Sequence, residues 1–368
     1  MRVVFYISSH GFGHAARDIQ VVNALARLDR SIRVTLRTSV PGWFLDASLE
    51  VAADRVAGDT DTGVVQPDSV TVDEDATIRR AAAFYDTFPA RVASERDLLR
   101  ASGAALVVGD IPPLAFAAAA AAEIPSIAVS NFTWDWIYGA YPRFDDEAPG
   151  VRGLIARANA QATRALRLPF AGGFASMPVV EDVPLVARHA GVARDEVRRR
   201  LGLPDGRPLV LATFGGHGVG VPLAQAATTD AFSLVATDYE VGTAGPPPPN
   251  VCVVPAAQLR ATGLTYTDLL AACDVAVTKL GYGIVSECIA NDVALLYAPR
   301  GRFPEQDVFM RELPGVLRCR QIERDHLLAG RWAEAVEALL TQPVPQRRMA
   351  TNGAEVVARR ILETASAK

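Results

Sequence analysis

Apolar positions along the chain fall into short β-branched runs alternating with stretches of helical period, and three such runs enter a glycine turn. The first is Arg2–Ile7, followed by SSHGFGHAARD and a helix to about Leu28 with Ile19, Val22 and Ala26 on one stripe. Ile32–Thr38 returns as a strand, so the opening reads as a βαβ unit whose ligands sit at the carboxyl ends of its strands. Residues 41–72 show no sustained period, and Asp73–Arg100 reads as a long helical region broken at Pro89. Ala105–Gly109 is a buried strand ending in Asp110; Ile111-Pro112-Pro113 then opens an alanine-rich helix, where proline is well placed. Ile127–Val129 repeats the pattern and ends at SNFTWDWIYGAYP, after which a helix is expected to about Leu166.

The second half starts over. Leu168–Pro184, with Pro169, Gly172, Gly173, Pro178 and Pro184, has the composition of a connector. Asp195–Leu201 is a short helix, and Pro208–Phe214 is a strand that runs into Gly215-Gly216-His217-Gly218. Phe232–Thr237 and Val251–Val254 supply further strands, and Thr267–Cys273 a helix. The most informative stretch follows, Val275 to Gln306, which reads as strand, glycine turn at Lys279–Gly283, helix and strand. The pattern predicts an α/β protein of two doubly wound Rossmann-like domains facing across a cleft. Their expected extents are residues 1–167 and 185–345, with a connector over 168–184. An amphipathic C-terminal helix over 346–368 is placed to cross back to the first domain.

The glycine turns locate the candidate chemistry. A turn delivering a strand into a helix presents free N–H groups and the positive end of the helix dipole, for which phosphate is the natural guest. Glu287, one turn in, has acceptor oxygens suited to ribose hydroxyls. Lys279 is one of two lysines, the other being Lys368, in a chain that otherwise uses arginine. That choice suggests a need for a compact ammonium. A short Gly-x-Gly at Gly281 and Gly283 fits a purely structural turn equally well.

On the first half's strand edge lie His10, His14 and Asp110. A histidine titrates near neutral pH and suits proton abstraction, with Asp110 orienting its ring; His14 alone fits a helix cap near Ala15 just as well. Asp59-Thr60-Asp61 has the form of a metal-binding triplet, although acidic triplets in polar loops are usually solvated. Of the clustered Phe132, Trp134, Trp136, Tyr138 and Tyr141, most are expected to cap the core, with pocket lining as the alternative.

Composition narrows the classes. A formal charge of −4 and no basic stripe exclude a broad nucleic-acid surface, and Arg194–Arg207 is interleaved with acids as on a solvated helix face. Four widely spaced cysteines give no metal or disulfide pattern and fit a cytoplasmic protein. The N-terminus is too quickly interrupted for a signal sequence, and the longest apolar run, Leu114–Ala122, is too short for a transmembrane segment.

Taken in order, SHGFGHAARDIQVV, LVVGDIPPLA, SNFTWDWIY, DVPLVARHAGVARDEVRRRLGL, the FGG at Phe214–Gly216 and KLGYGIVSE resemble the GT-B glycosyltransferases. Over about 300 residues they resemble the glycosyltransferase-like N-terminal region of the L-arabinokinases, whose sugar-kinase half has no counterpart here. The resemblance implies an inverting, metal-independent glycosyltransferase with no cofactor and a nucleoside-diphosphate sugar as co-substrate. UDP is favoured, with dTDP, ADP and GDP open. It places His14 and Asp110 at the catalytic positions. Gly215, Gly216, Gly281, Gly283 and Ser286 fall near the diphosphate, with Lys279 beside them, Glu287 at the ribose, and Glu305-Gln306 at the donor sugar. A small-molecule acceptor would meet loops 41–72 and 131–149, with His10, Phe12, Asn131, Trp134 and Asp135 as candidates. Lys279-Leu280-Gly281-Tyr282 stands where plant-type members carry His-Cys-Gly-Trp, which leaves the base open. A nucleotide-sugar epimerase or hydrolase, and a non-catalytic partner of a sugar kinase, remain alternatives.

Overall fold

The computed structural model describes residues 1–215, 221–241 and 250–366. Its strands are β1 (Arg2–Ile7), β2 (Arg33–Thr38), β3 (Asp54–Ala57), β4 (Val65–Asp68), β5 (Thr71–Asp73), β6 (Leu106–Asp110), β7 (Ser126–Phe132), β8 (Arg164–Gly172) and β9 (Val180–Asp182) in the first half. The second half has β10 (Leu209–Ala212), β11 (Ser233–Thr237), β12 (Val251–Val254), β13 (Val275–Lys279), β14 (Ala294–Ala298) and β15 (Cys319–Gln321). Among the described residues, one parallel sheet has the order β3-β2-β1-β6-β7-β8-β9 and the other β12-β11-β10-β13-β14-β15, while β4 and β5 form a separate antiparallel pair. Both sheets reverse their winding once, between β1 and β6 and between β10 and β13. In an open α/β sheet that reversal leaves a crevice at the carboxyl ends of the strands.

Strand composition follows from this layering. A central parallel strand is covered on both faces, so it reads as a continuous apolar run, and Val3 through Ile7 are all fully buried. Val3, Phe5 and Ile7 pack with Ile19, Val22 and Leu25 of helix Gly13–Leu28, whereas Val4 and Tyr6 face Leu114 and Phe116 on the opposite side. In the second sheet Leu209 and Leu211 join the same core as β1, while Val210 and Ala212 pack with Phe232 and Trp332. One hydrophobic core therefore runs through both domains.

Two expectations meet a different structure. The helix expected to reach Leu166 ends at Asn159, and residues 168–184, expected as a connector, contain most of β8 and all of β9. Ala165, Leu166, Leu168 and Phe170 are buried while Arg167 and Pro169 are half-buried, a near period of two hidden by the prolines and glycines around it. Pro169 is tolerated because the pairing of β7 with β8 shifts register between Ser130 and Phe132. The chain crosses after β9. There Leu185 N donates to Ala350 O and Gly353 N to Leu185 O, and helix Gly353–Ser366 packs against helix Gly13–Leu28 of the first domain. No described helix is long and apolar enough to cross a membrane.

Candidate functional site

Helix Gly13–Leu28 starts directly beneath the end of β1, so His14 lies in its first turn beside Asp110, the last residue of β6. His14 Nδ1 is 2.9 Å from Asp110 Oδ1. Arg17, which the sequence reading did not single out, holds the same carboxylate with a two-pronged grip, Nη2 at 2.5 Å from Oδ1 and Nε on Oδ2. Its Nη1 donates to Asn131 Oδ1 at 2.7 Å and Nη2 to Ser130 Oγ at 2.9 Å. Nη2 carries two hydrogens, which Asp110 and Ser130 take up. His14 Nδ1, 3.0 Å from that nitrogen, is therefore left as a donor to Asp110, and the ring's lone pair sits on Nε2. Burial pushes the Asp110 carboxyl up, but Arg17 and then His14 outweigh it and hold it below the usual carboxylate range. The clue to Arg17 was its spacing, three residues after His14 on one helical face.

The rest of the first wall is aromatic and packed. Trp134 is fully buried against Tyr138, and its indole N–H donates to Asp61 at 2.8 Å. Asp61 also accepts from Ser8, and burial pushes its carboxyl up to about 6. Asp59 instead accepts from Ser39, so the two ends of the acidic triplet serve separate bonds. His10 lies 5.4 Å from Trp134 and 5.9 Å from Phe303, ring to ring. Phe12 stacks on Phe44 at 4.5 Å, and Asp135 accepts from Asn159 and Ser176.

The second wall is the turn after β13. Gly281 is the extended residue before helix Tyr282–Asn291, and Gly283 lies so near Gly13 that a Cβ on it would sit 3.6 Å from Gly13 Cα. The two domains thus bring helix starts against each other. Tyr282 lies with its ring 4.6 Å from the Arg17 guanidinium, and its hydroxyl accepts from Val186 N. Ser286 Oγ donates to Gly283 O, and Glu287 pairs with Arg188 of the crossing segment at 2.6 Å. Burial raises the Glu287 carboxyl despite that partner. Arg17, Arg188, Ser286 and Glu287 border a narrow crevice between the domains.

Glu305 and Gln306 open helix Pro304–Glu312. Gln306 Oε1 accepts from Arg300 N at 2.6 Å, and Glu305 accepts from Asn131 Nδ2 at 2.7 Å. Asn131 thereby links the Arg17–Asp110 pair to the opposite domain. Gly215 takes φ +74, a left-handed turn that favours glycine, while Gly216, His217 and Gly218 lie outside the described residues. Phe214 N, next to that turn, donates to Glu240 at 2.7 Å, and burial pushes the Glu240 carboxyl up to about 7.

This architecture has known counterparts. The glycosyltransferase SnogD from Streptomyces nogalater superposes with a TM-score of 0.57 over 99% of both chains at 20% identity. The kitacinnamycin glycosyltransferase gives 0.62 over 99% of this chain and 95% of that one, at 19% identity. The fold is that of the GT-B glycosyltransferases. The sequence is 32% identical over 371 residues to L-arabinokinase of Arabidopsis thaliana, covering 98% of this chain and 34% of that protein. The chain thus spans about a third of that relative's length. An uncharacterized glycosyltransferase of Methanopyrus kandleri is 26% identical over 75% of this chain and 80% of its own. No family model matches.

Proposed function

We propose that this GT-B chain is an inverting, metal-independent glycosyltransferase that moves a sugar from a nucleoside-diphosphate sugar, UDP favoured, to the hydroxyl of a small-molecule acceptor. The observation carrying the reading is the His14–Asp110 contact of 2.9 Å at the strand edge, facing the helix start of the other domain. His14 Nε2 takes the acceptor's hydroxyl proton as the oxygen bonds to the anomeric carbon. The bond from that carbon to the phosphate oxygen breaks, and the nucleoside diphosphate leaves with the electron pair. Asp110 stabilises the imidazolium, and Arg17 keeps the carboxylate in place. Charge on the leaving group is met by Lys279 and the helix start at Tyr282, donors fixed before the reaction. Donor, sugar and ribose contacts fall to Glu305, Gln306, Ser286 and Glu287.

The test is a panel of nucleotide sugars and hydroxyl acceptors assayed with wild type and His14→Ala. Transfer should fall by about 10²–10⁴ in the variant while calorimetric binding of the nucleotide persists. Donor consumption without any acceptor would shift the reading to an epimerase or hydrolase. An unchanged rate in His14→Ala would remove the histidine from the chemistry.

A further inference from the structure

At the carboxyl ends of β13 and β14, buried polar side chains outnumber the partners the protein gives them. Lys279 closes β13 in register with Ala298 of β14, and Arg300 follows two residues later. Arg300 is 3% exposed. Its Nη2 reaches Glu305 at 3.2 Å, its guanidinium stacks 4.0 Å over the Phe303 ring, and its Nε has no hydrogen-bond partner among the described residues. The Tyr141 hydroxyl, brought by the first domain into the range of the Arg300 charge, is also buried and without a partner among those residues. Lys279 extends its ammonium toward Gly281 and makes no side-chain hydrogen bond or ion pair among the described residues. Glu305 is the carboxylate felt by both cations, and it also accepts from Asn131.

A buried guanidinium and a half-buried ammonium that share one carboxylate leave a positive charge uncompensated when both are protonated, an arrangement that an arriving anion relieves. A neutral sugar supplies hydroxyls and no counter-charge. A phosphoryl group or a carboxylate supplies both charge and acceptor oxygens, and a guanidinium fork beside an ammonium matches them. We propose that Lys279 and Arg300, together with the Tyr141 hydroxyl that is unpartnered among the described residues, form an oxyanion subsite for one anionic group of the donor. That group is either the diphosphate or a carboxylate on the transferred sugar. The subsite rests on the nucleotide-sugar reading above and adds Arg300 and Tyr141 to its residues. Arg300 lies beside Glu305 and Gln306, so a sugar carboxylate would make the donor a nucleotide-activated uronic acid.

The experiment is calorimetric titration of the full chain with UDP, UDP-glucose and UDP-glucuronate and with dTDP, ADP and GDP, comparing wild type with Arg300→Gln and Tyr141→Phe. Arg300→Gln should weaken binding at least tenfold. If the diphosphate occupies the subsite, UDP and both UDP-sugars lose affinity together. If a sugar carboxylate does, UDP-glucuronate alone loses it. Tyr141→Phe should give the same selectivity with a smaller loss. If Arg300→Gln does not fold, Lys279→Gln carries the same readout from a less enclosed position. Affinities within twofold of wild type in folded variants overturn the subsite and leave the nucleotide-sugar reading standing. Absence of binding by wild type to every nucleotide overturns both.

Discussion

At Lys279 enclosure works against charge: burial first, then the field of Arg300, push the ammonium down to about 7, while Glu305 pulls it back. An unfolded lysine keeps its proton to about 10.4, so between the two values the unfolded chain holds more protons and stability rises with pH across that window. An anion seated beside Lys279 and Arg300 reverses the effect locally. At pH 8 its arrival should therefore draw a proton from the buffer onto Lys279, and at pH 6, where the ammonium is already charged, it should not. Binding enthalpies compared in buffers of different ionisation heat measure this, and equal enthalpies at pH 8 would show that Lys279 does not respond. Sequence alone made this residue conspicuous by its rarity. His14 and Asp110 were legible for a related reason, since each ends a strand-and-turn pattern that recurs. Arg17 was not, because an arginine inside a helix reads as surface until the fold buries it against Asp110.

Elements were legible where one period persisted. Helix Gly13–Leu28 and β1 carry clean patterns, and the structure has them within a residue or two of their expected ends. β8 was obscured because its alternation is interrupted by Pro169 and Gly172, and composition then suggested a linker. Around helix Gly353–Ser366 the decisive feature is a close approach that leaves no trace in periodicity. A Cβ on Gly353 would lie 2.2 Å from the carbonyl oxygen of Pro184 and 2.8 Å from Leu185. Those atoms belong to backbone tied to the helix by the Gly353 N to Leu185 O bond, so they cannot rotate away. Gly353→Ala should therefore destabilise the protein by about 1–3 kcal/mol, as overpacking does, read as a lower denaturation midpoint. An unchanged midpoint would mean the crossing segment shifts freely beneath the helix.

For the whole molecule, the hydrophobic pattern conveyed two similar halves, and the structure adds what joins them. Asn131 to Glu305, Ser69 to the Phe214 carbonyl and the Arg17–Tyr282 stack each cross between the domains. Such pairings join residues more than a hundred positions apart, which one sequence cannot reveal. At the centre of this seam Gly13 and Gly283 meet with only backbone between them. The pair works as a spacer of minimum thickness: the width of the gap between the domains is set by what these two positions lack. A single methyl there finds ordinary van der Waals distances of 3.6–3.7 Å, so alanine fits at either position. A branched side chain would act as a wedge, and Gly283→Val should hold the halves apart, seen in solution scattering as a larger radius of gyration. The reach from the first wall to the second is thereby set by two residues that need perform no chemistry, and lengthening one of them would detune the cleft as a thicker gasket detunes a valve.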